Sequence, residues 1–417
     1  MAHPTRRSWL RSSFLALGAA TLLTRHGEVR AAPRAKPRRL VLILNSGGWD
    51  PTYALDPKPG VGGIDAPAGA VDTYGDLEIL TDASRPNIAA YFAAHAGITT
   101  VVRGLQVNSV AHPDAARRVL TGTPNDGAPD IAAITSAVHG ADMPAPYLIL
   151  GRTAYSGPYA SLAARTGSVN QVVTLLDPIY SLPPIGGPVL PHIPSDAEEE
   201  LVRAHVLARA ERELAASGAN TRVQDFIASL QRGDLLREIG DIGEIEFDRS
   251  FDAQIDLAVE ALGRGLCHSV QIETGDWDTH TMNAAQGPSH DAFFGSLATL
   301  VAALAARDGS SQGSKLLDET AVVVVSELGR TPRLNSDMGK DHWPVTAAMV
   351  IGSGVTNRSV GATSNQLAGE PVDLTTGKPD KNGKPLLYAN FAAGVLALAG
   401  VDPGEHIVGE PLHALSA

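Results

Sequence analysis

What most constrains this chain is a set of short apolar runs, each closed by loop-forming residues. Thr320–Val325 holds four valines in a row and runs straight into Ser-Glu-Leu-Gly-Arg. Residues 38–44 end in Asn-Ser-Gly-Gly, residues 97–102 and 269–272 form further runs, and Val350-Ile351 starts another. Runs this short, without polar alternation, read as strands buried on both faces, the usual state of a strand in a parallel sheet. Helical spacing lies between them. Residues 251–266 place Ile255, Val259 and Leu262 on one face, and residues 290–304 do the same with Phe293, Leu297, Leu300, Val301 and Leu304. Strands alternating with helices predict an α/β fold with a mostly parallel sheet sandwiched by helices. No repeat occurs at solenoid spacing.

The middle of the chain reads differently. Residues 183–194 are rich in Pro and Gly, and Ser195 followed by Glu198 is a capping-box signature for a helix that runs to about Gly218. A second helix is expected over residues 221–239, so that about 183–245 reads as a helical insertion in an α/β domain spanning 38–417. Residues 352–382 are polar without periodicity and read as a loop covering one end of the sheet. At the amino terminus, Arg6-Arg7 and Arg11 precede an apolar run over residues 14–24, and Ala31-Ala32 follow. That run is too short to span a bilayer, for which roughly 20 residues are needed. A basic start, a short apolar centre and small residues at its end predict a twin-arginine signal over residues 1–32. The expected partner is the twin-arginine export machinery, the location periplasmic or extracellular, and no transmembrane anchor is expected after signal removal.

Composition narrows the chemistry. Of 417 residues 44% are hydrophobic, enough for a large core. Lys and Arg total 33 against 45 Asp and Glu, a net charge of −12, which gives no pull toward nucleic acid. Removing residues 1–32 takes away five arginines and one glutamate and leaves −16. The one cysteine, Cys267, excludes an intramolecular disulfide and any all-cysteine zinc or iron–sulfur site. A metal here must be held by His, Asp and Glu.

Several candidates follow strands, and in open α/β sheets ligands bind outside the carboxyl ends of the strands. Gly275-Asp276-Trp277-Asp278-Thr279-His280 comes after the run at 269–272. Its carboxylates and imidazole suit Zn, Mn, Mg or Ca; an ordinary capped turn is the alternative. Glu327 follows the valine run, where a carboxylate is costly unless it is paired or bound to metal. Arg330 could pair with it, or hold a phosphate or sulfate in bidentate fashion. Gly339-Lys340-Asp341-His342-Trp343-Pro344 lies ahead of another strand, and Asn45-Ser46-Gly47-Gly48-Trp49-Asp50 follows the first, with Asp50 a candidate ligand. His112, in Ala-His-Pro-Asp, is structural or functional on sequence alone. No Gly-x-Gly-x-x-Gly follows a strand, which excludes a nucleotide-dependent dehydrogenase.

Taken together, GDWDTH (275–280), SELGRTPRLN (326–335), GKDHWP (339–344), HPDAARRVLTG (112–122) and NSGGWD (45–50) make a chain that resembles the DUF1501 family of exported bacterial proteins. That family is placed in the alkaline phosphatase and sulfatase superfamily. The resemblance runs from about Leu40 to the end and implies an alkaline phosphatase-like fold with a metal centre at the strand ends. By motif it implies divalent-metal ligation by Asp278, His280, Glu327, Asp341 and His342, with Asp50 as the early acidic ligand. Asp276 stands where the family usually has Gly and Leu328 where it usually has Phe, and His112 occupies the place of the sulfatase nucleophile. The expected function is an exported, metal-dependent hydrolase of phosphate or sulfate esters using metal-activated water or an unidentified nucleophile. Arg330 and Lys340 would neutralise the ester and His112 would assist proton transfer. The expected substrate is a small anionic ester or a sulfated or phosphorylated glycan. The competing expectation is a non-catalytic, metal-retaining envelope or polysaccharide-binding protein.

Overall fold

The computed structural model describes residues 38–165, 196–218, 220–238, 250–352 and 354–416. The segment 1–32, read from the sequence as a signal, and the Ser195 helix start lie outside the described residues.

Eight strands form the central sheet. In chain order they are β1 (Arg39–Asn45), β4 (Thr99–Gln106), β5 (Tyr147–Ile149), β6 (Ala163–Arg165), β7 (Ser269–Thr274), β8 (Thr320–Val325), β11 (Val345–Gly352) and β12 (Arg358–Val360). Two hairpin-like pairs stand apart from it: β2 (Ala70–Tyr74) with β3 (Leu77–Thr81), and β9 (Gly329–Arg330) with β10 (His342–Trp343). The sheet order is β12-β4-β11-β8-β1-β7-β5-β6. β1 pairs in parallel with both β7 and β8, whereas β11 is antiparallel to β8 and β4. This reversal has a local cause. A parallel return needs a crossover, usually a helix, and residues 326–344 between β8 and β11 contain only the small β9–β10 pair. Val350-Ile351 therefore stands near the end of its strand, not at its start.

Alternation along β1 and β8 sends side chains to two cores. Val41, Ile43, Val322 and Val324 pack with helices α1 (Pro86–His95), α6 (Phe251–Gly263) and α7 (Gln286–Ala306) through Phe92, Ile255, Leu262, Phe293 and Leu297. Leu42, Leu44, Val323 and Val325 pack on the other face with α2 (His112–Thr121), α3 (Ile131–His139) and α8 (Tyr388–Leu398) through Val119, Ile134, Phe391 and Leu396. The sheet is thus mostly parallel and covered on both faces. Among the described residues one helix, Asn283–Ala306, is long and apolar enough to cross a membrane, and its Phe294, Leu300, Val301 and Leu304 are buried against the sheet.

Helices α4 (Asp196–Ser217) and α5 (Thr221–Glu238) pack on one another. The Arg232 guanidinium and the Ser229 hydroxyl both donate to Ser161 O. Residues 352–382 are largely irregular, as the sequence suggested, apart from β12, which pairs in parallel with β4 at the edge of the sheet.

One end of the sheet collects the chemistry. β1, β7 and β8 finish there, and β11 starts there because it runs the other way. The loops at 46–50, 275–280, 326–330 and 339–343 are consequently neighbours, and α2 begins close by.

Candidate metal centre

Three imidazoles and one carboxylate converge on this end. Asp278 Oδ1 lies 3.2 Å from the Nε2 atoms of both His280 and His342, and those two nitrogens are 2.9 Å apart. His112, the first residue of α2, brings its Nε2 to 3.5 Å from Asp278 Oδ2. That nitrogen is buried and has no hydrogen-bond partner among the described residues.

The opposite edge of each ring explains why Nε2 faces inward. His112 Nδ1 donates to Glu327 Oε1 at 2.8 Å, His280 Nδ1 to Asp341 Oδ1 at 3.1 Å, and His342 Nδ1 to the Val110 carbonyl at 2.8 Å. With its proton on Nδ1, a neutral imidazole presents a bare lone pair at Nε2. Two such lone pairs facing each other at 2.9 Å repel unless a cation lies between them. A metal at 2.0–2.1 Å from each donor sets neighbouring donors about 3.3 Å apart in a tetrahedron, close to the spacings found here. His112, Asp278 and His342 bring one donor atom each within 4.8 Å of one another, a set that fits a divalent ion, and His280 Nε2 stands beside it, 2.9 Å from His342 Nε2. Outer carboxylates and carbonyls that fix the imidazoles are the usual support of such a site.

Charge placement agrees. Partial burial pushes the Asp278 carboxyl up, but the Arg330 guanidinium at 2.7 Å opposes this most strongly, and the carboxyl is held at about 2. The hydrogen bond to Glu327 raises the His112 pKa against the opposing effect of burial.

Local sequence makes these approaches possible. Gly47 has φ +120°, and a Cβ there would stand 2.6 Å from Asp278 N. Its own N–H donates to Glu327 Oε1 at 2.7 Å, the same oxygen that receives His112. At Gly339 a Cβ would collide with the His280 carbonyl. α2 starts on His112-Pro113, with the proline fixing the first turn.

These contacts place the other expected residues as follows. Glu327 is 1% exposed and stands behind His112, and Asp341 meets the outer Nδ1 edge of His280. Asp50 is fully buried. It accepts from Lys340 Nζ at 2.8 Å, from Thr52 N and Oγ1, and from Asn283 Nδ2, and so it is engaged away from the imidazoles. Burial alone would raise the Asp50 pKa, but Lys340 lowers it. Lys340, expected to meet the ester, is equally buried and has Asp50 as its ion-pair partner. Arg330, expected to clamp the anion, is fully buried and donates to the carbonyls of Gly47, Gly48, Trp277 and Lys340 as well as to Asp278. It ties three loops to one ligand. His112, expected to move a proton, supplies a third imidazole. The Val110 carbonyl was missed altogether, because a backbone acceptor leaves no mark in the residue code.

The family model described as "Protein of unknown function (DUF1501)" matches residues 241–406. The matched segment, which is similar to that family, carries Asp278, His280, Glu327, Arg330, Asp341 and His342, whereas His112 lies on its amino-terminal side. No curated protein matches the chain. Among solved structures, the chain is similar to a protein in the alkaline phosphatase superfamily from Vibrio parahaemolyticus, at 11% identity and TM-score 0.36, over 89% of this chain and 68% of that one. It is also similar to the lipoteichoic acid synthase LtaP from Listeria monocytogenes, at 10% and 0.39, over 92% and 76%. A sulfatase from Pseudoalteromonas sp. gives 13% and 0.36, over 92% and 72%.

Proposed function

We propose that the chain is an exported, metal-dependent hydrolase of phosphate or sulfate esters, with residues 1–32 a twin-arginine signal and residues 38–417 one domain. The observation that carries the reading is the convergence of His112, His280 and His342 Nε2 on the Asp278 carboxylate, one of them buried and unpartnered. A divalent ion bound there supplies a Lewis acid that polarises an ester oxygen and makes water acidic enough to attack at neutral pH.

The chain's own part is positional. Glu327, Asp341 and the Val110 carbonyl hold the Nδ1 protons and leave the three Nε2 atoms bare. Arg330 keeps Asp278 ionised and fixes its direction. His112 stands where the superfamily resemblance places a nucleophile, and this favours attack by water over a covalent intermediate.

The test is metal content. Protein recovered from the exported fraction is expected to contain a stoichiometric divalent metal by mass spectrometry, and His342→Ala to lose it. 4-Nitrophenyl phosphate or 4-nitrophenyl sulfate is expected to be hydrolysed by the wild type and not by the variant. Protein that binds no divalent ion at all overturns the reading. Bound metal without turnover of either ester turns it into that of a binding protein on the same fold.

A further inference from the structure

Beside the metal centre lies a cavity of about 470 Å³, within the range of small-molecule sites. His112 and Asp278 line it together with Ser46, Gln254, Arg152 and Asp276. Gln254 is already engaged, its side-chain amide bonding the backbone N–H and C=O of Glu273 at 2.9 Å each. The Asp276 carboxylate and the Arg152 guanidinium have no hydrogen bond or ion pair among the described residues. The cavity thus adjoins the donor set and offers, among the described residues, one unpaired anion and one unpaired cation. Asp276 also sits at φ +68°, a conformation that favours glycine.

We propose that this cavity receives the alcohol part of the ester and selects an alcohol that carries a protonated amine, with Asp276 facing the ammonium. The inference rests on the ester-handling role of the adjoining centre. The reacting group is anionic and belongs beside the imidazoles, and Arg152, which lines the same cavity, can meet its oxygens. Asp276 repels a second anion and is matched by a cation. An exposed ion pair supports a preference of roughly twofold to fivefold.

Calorimetry on the zinc-loaded protein tests this without turnover. The probes are 3-aminopropylphosphonate and butylphosphonate, which have similar length and differ by the ammonium group. The wild type is expected to bind the amine-bearing probe roughly threefold more tightly. In Asp276→Gly and Asp276→Asn the two affinities are expected to become equal. Glycine is the residue best suited to φ +68°, so the first variant keeps the loop, and thermal unfolding confirms that it is folded. Equal affinities in the wild type, or a preference that survives both substitutions, overturn this inference alone. Failure of both probes to bind zinc-loaded protein overturns it together with the ester reading.

Discussion

Replacing Lys340 by Met separates a structural role from a substrate-binding one. The Lys340 ammonium and the Asp50 carboxylate are both fully buried and 2.8 Å apart. At that distance the gross attraction is about 6 kcal/mol for an effective dielectric constant of 20. Removing one partner of a buried pair typically costs about 3–5 kcal/mol, because the other charge is left uncompensated. Asp50 would retain donors from Thr52 and Asn283, which places the expected loss near the lower end, about 3 kcal/mol. Unfolding entropy for a domain of this size is about 0.8 kcal/mol/K, so Tm should fall by about 4 °C. The assay is thermal and urea unfolding of the wild type, Lys340→Met, Asp50→Asn and the double variant. The double variant should regain a good part of the loss, since it leaves no unpaired charge. A Lys340→Met protein within about 1 °C of the wild type, or a double variant no more stable than the single one, refutes the argument. A normal Tm combined with weakened ester binding would restore Lys340 to the role first read from its sequence.

Three further outcomes are expected. Glu327→Gln and Asp341→Asn should each weaken metal binding by roughly tenfold to a hundredfold while leaving the fold intact, read by competition with a chromophoric chelator. Gly47→Ala should destabilise the protein by about 1–3 kcal/mol, seen as a lowered Tm, since it combines φ +120° with a Cβ 2.6 Å from Asp278 N. Acid should weaken the fold through His290, whose ring stacks on Trp49 and Tyr53 and whose pKa burial lowers to about 4. The unfolded chain, with a pKa near 6.5, takes up this proton first. The His290 contribution is therefore complete above about pH 6.5 and lost as pH falls toward 4, to a limit of about 3 kcal/mol. Urea unfolding at pH 7 and pH 5 measures it, and His290→Gln should reduce the difference.

Sequence exposes what depends on runs of residues and hides what depends on orientation. The valines of Thr320–Val325 and the strand at Ser269–Thr274 were legible because burial on both faces excludes polar residues from the run. From the second of those strands it followed that Asp278 and His280 stand beyond its carboxyl end. Which ring nitrogen a carboxylate meets was not legible. Glu327 and Asp341 differ from Asp278 only in meeting Nδ1 instead of Nε2, and opposite edges of one ring carry the same letter in the code. The pairing of Asp50 with Lys340 was hidden for a different reason: 290 positions separate them, and nothing local marks either as buried. The direction of β11 was hidden too, since a strand reads alike both ways, and only the helix-free connection at 326–344 dictates the reversal. That reversal is what brings residues 339–343 to the carboxyl ends of β1, β7 and β8. Had a helix been interposed and β11 run parallel, His342 would have stood at the opposite edge of the sheet, and Asp278 and His280 would have faced an incomplete site.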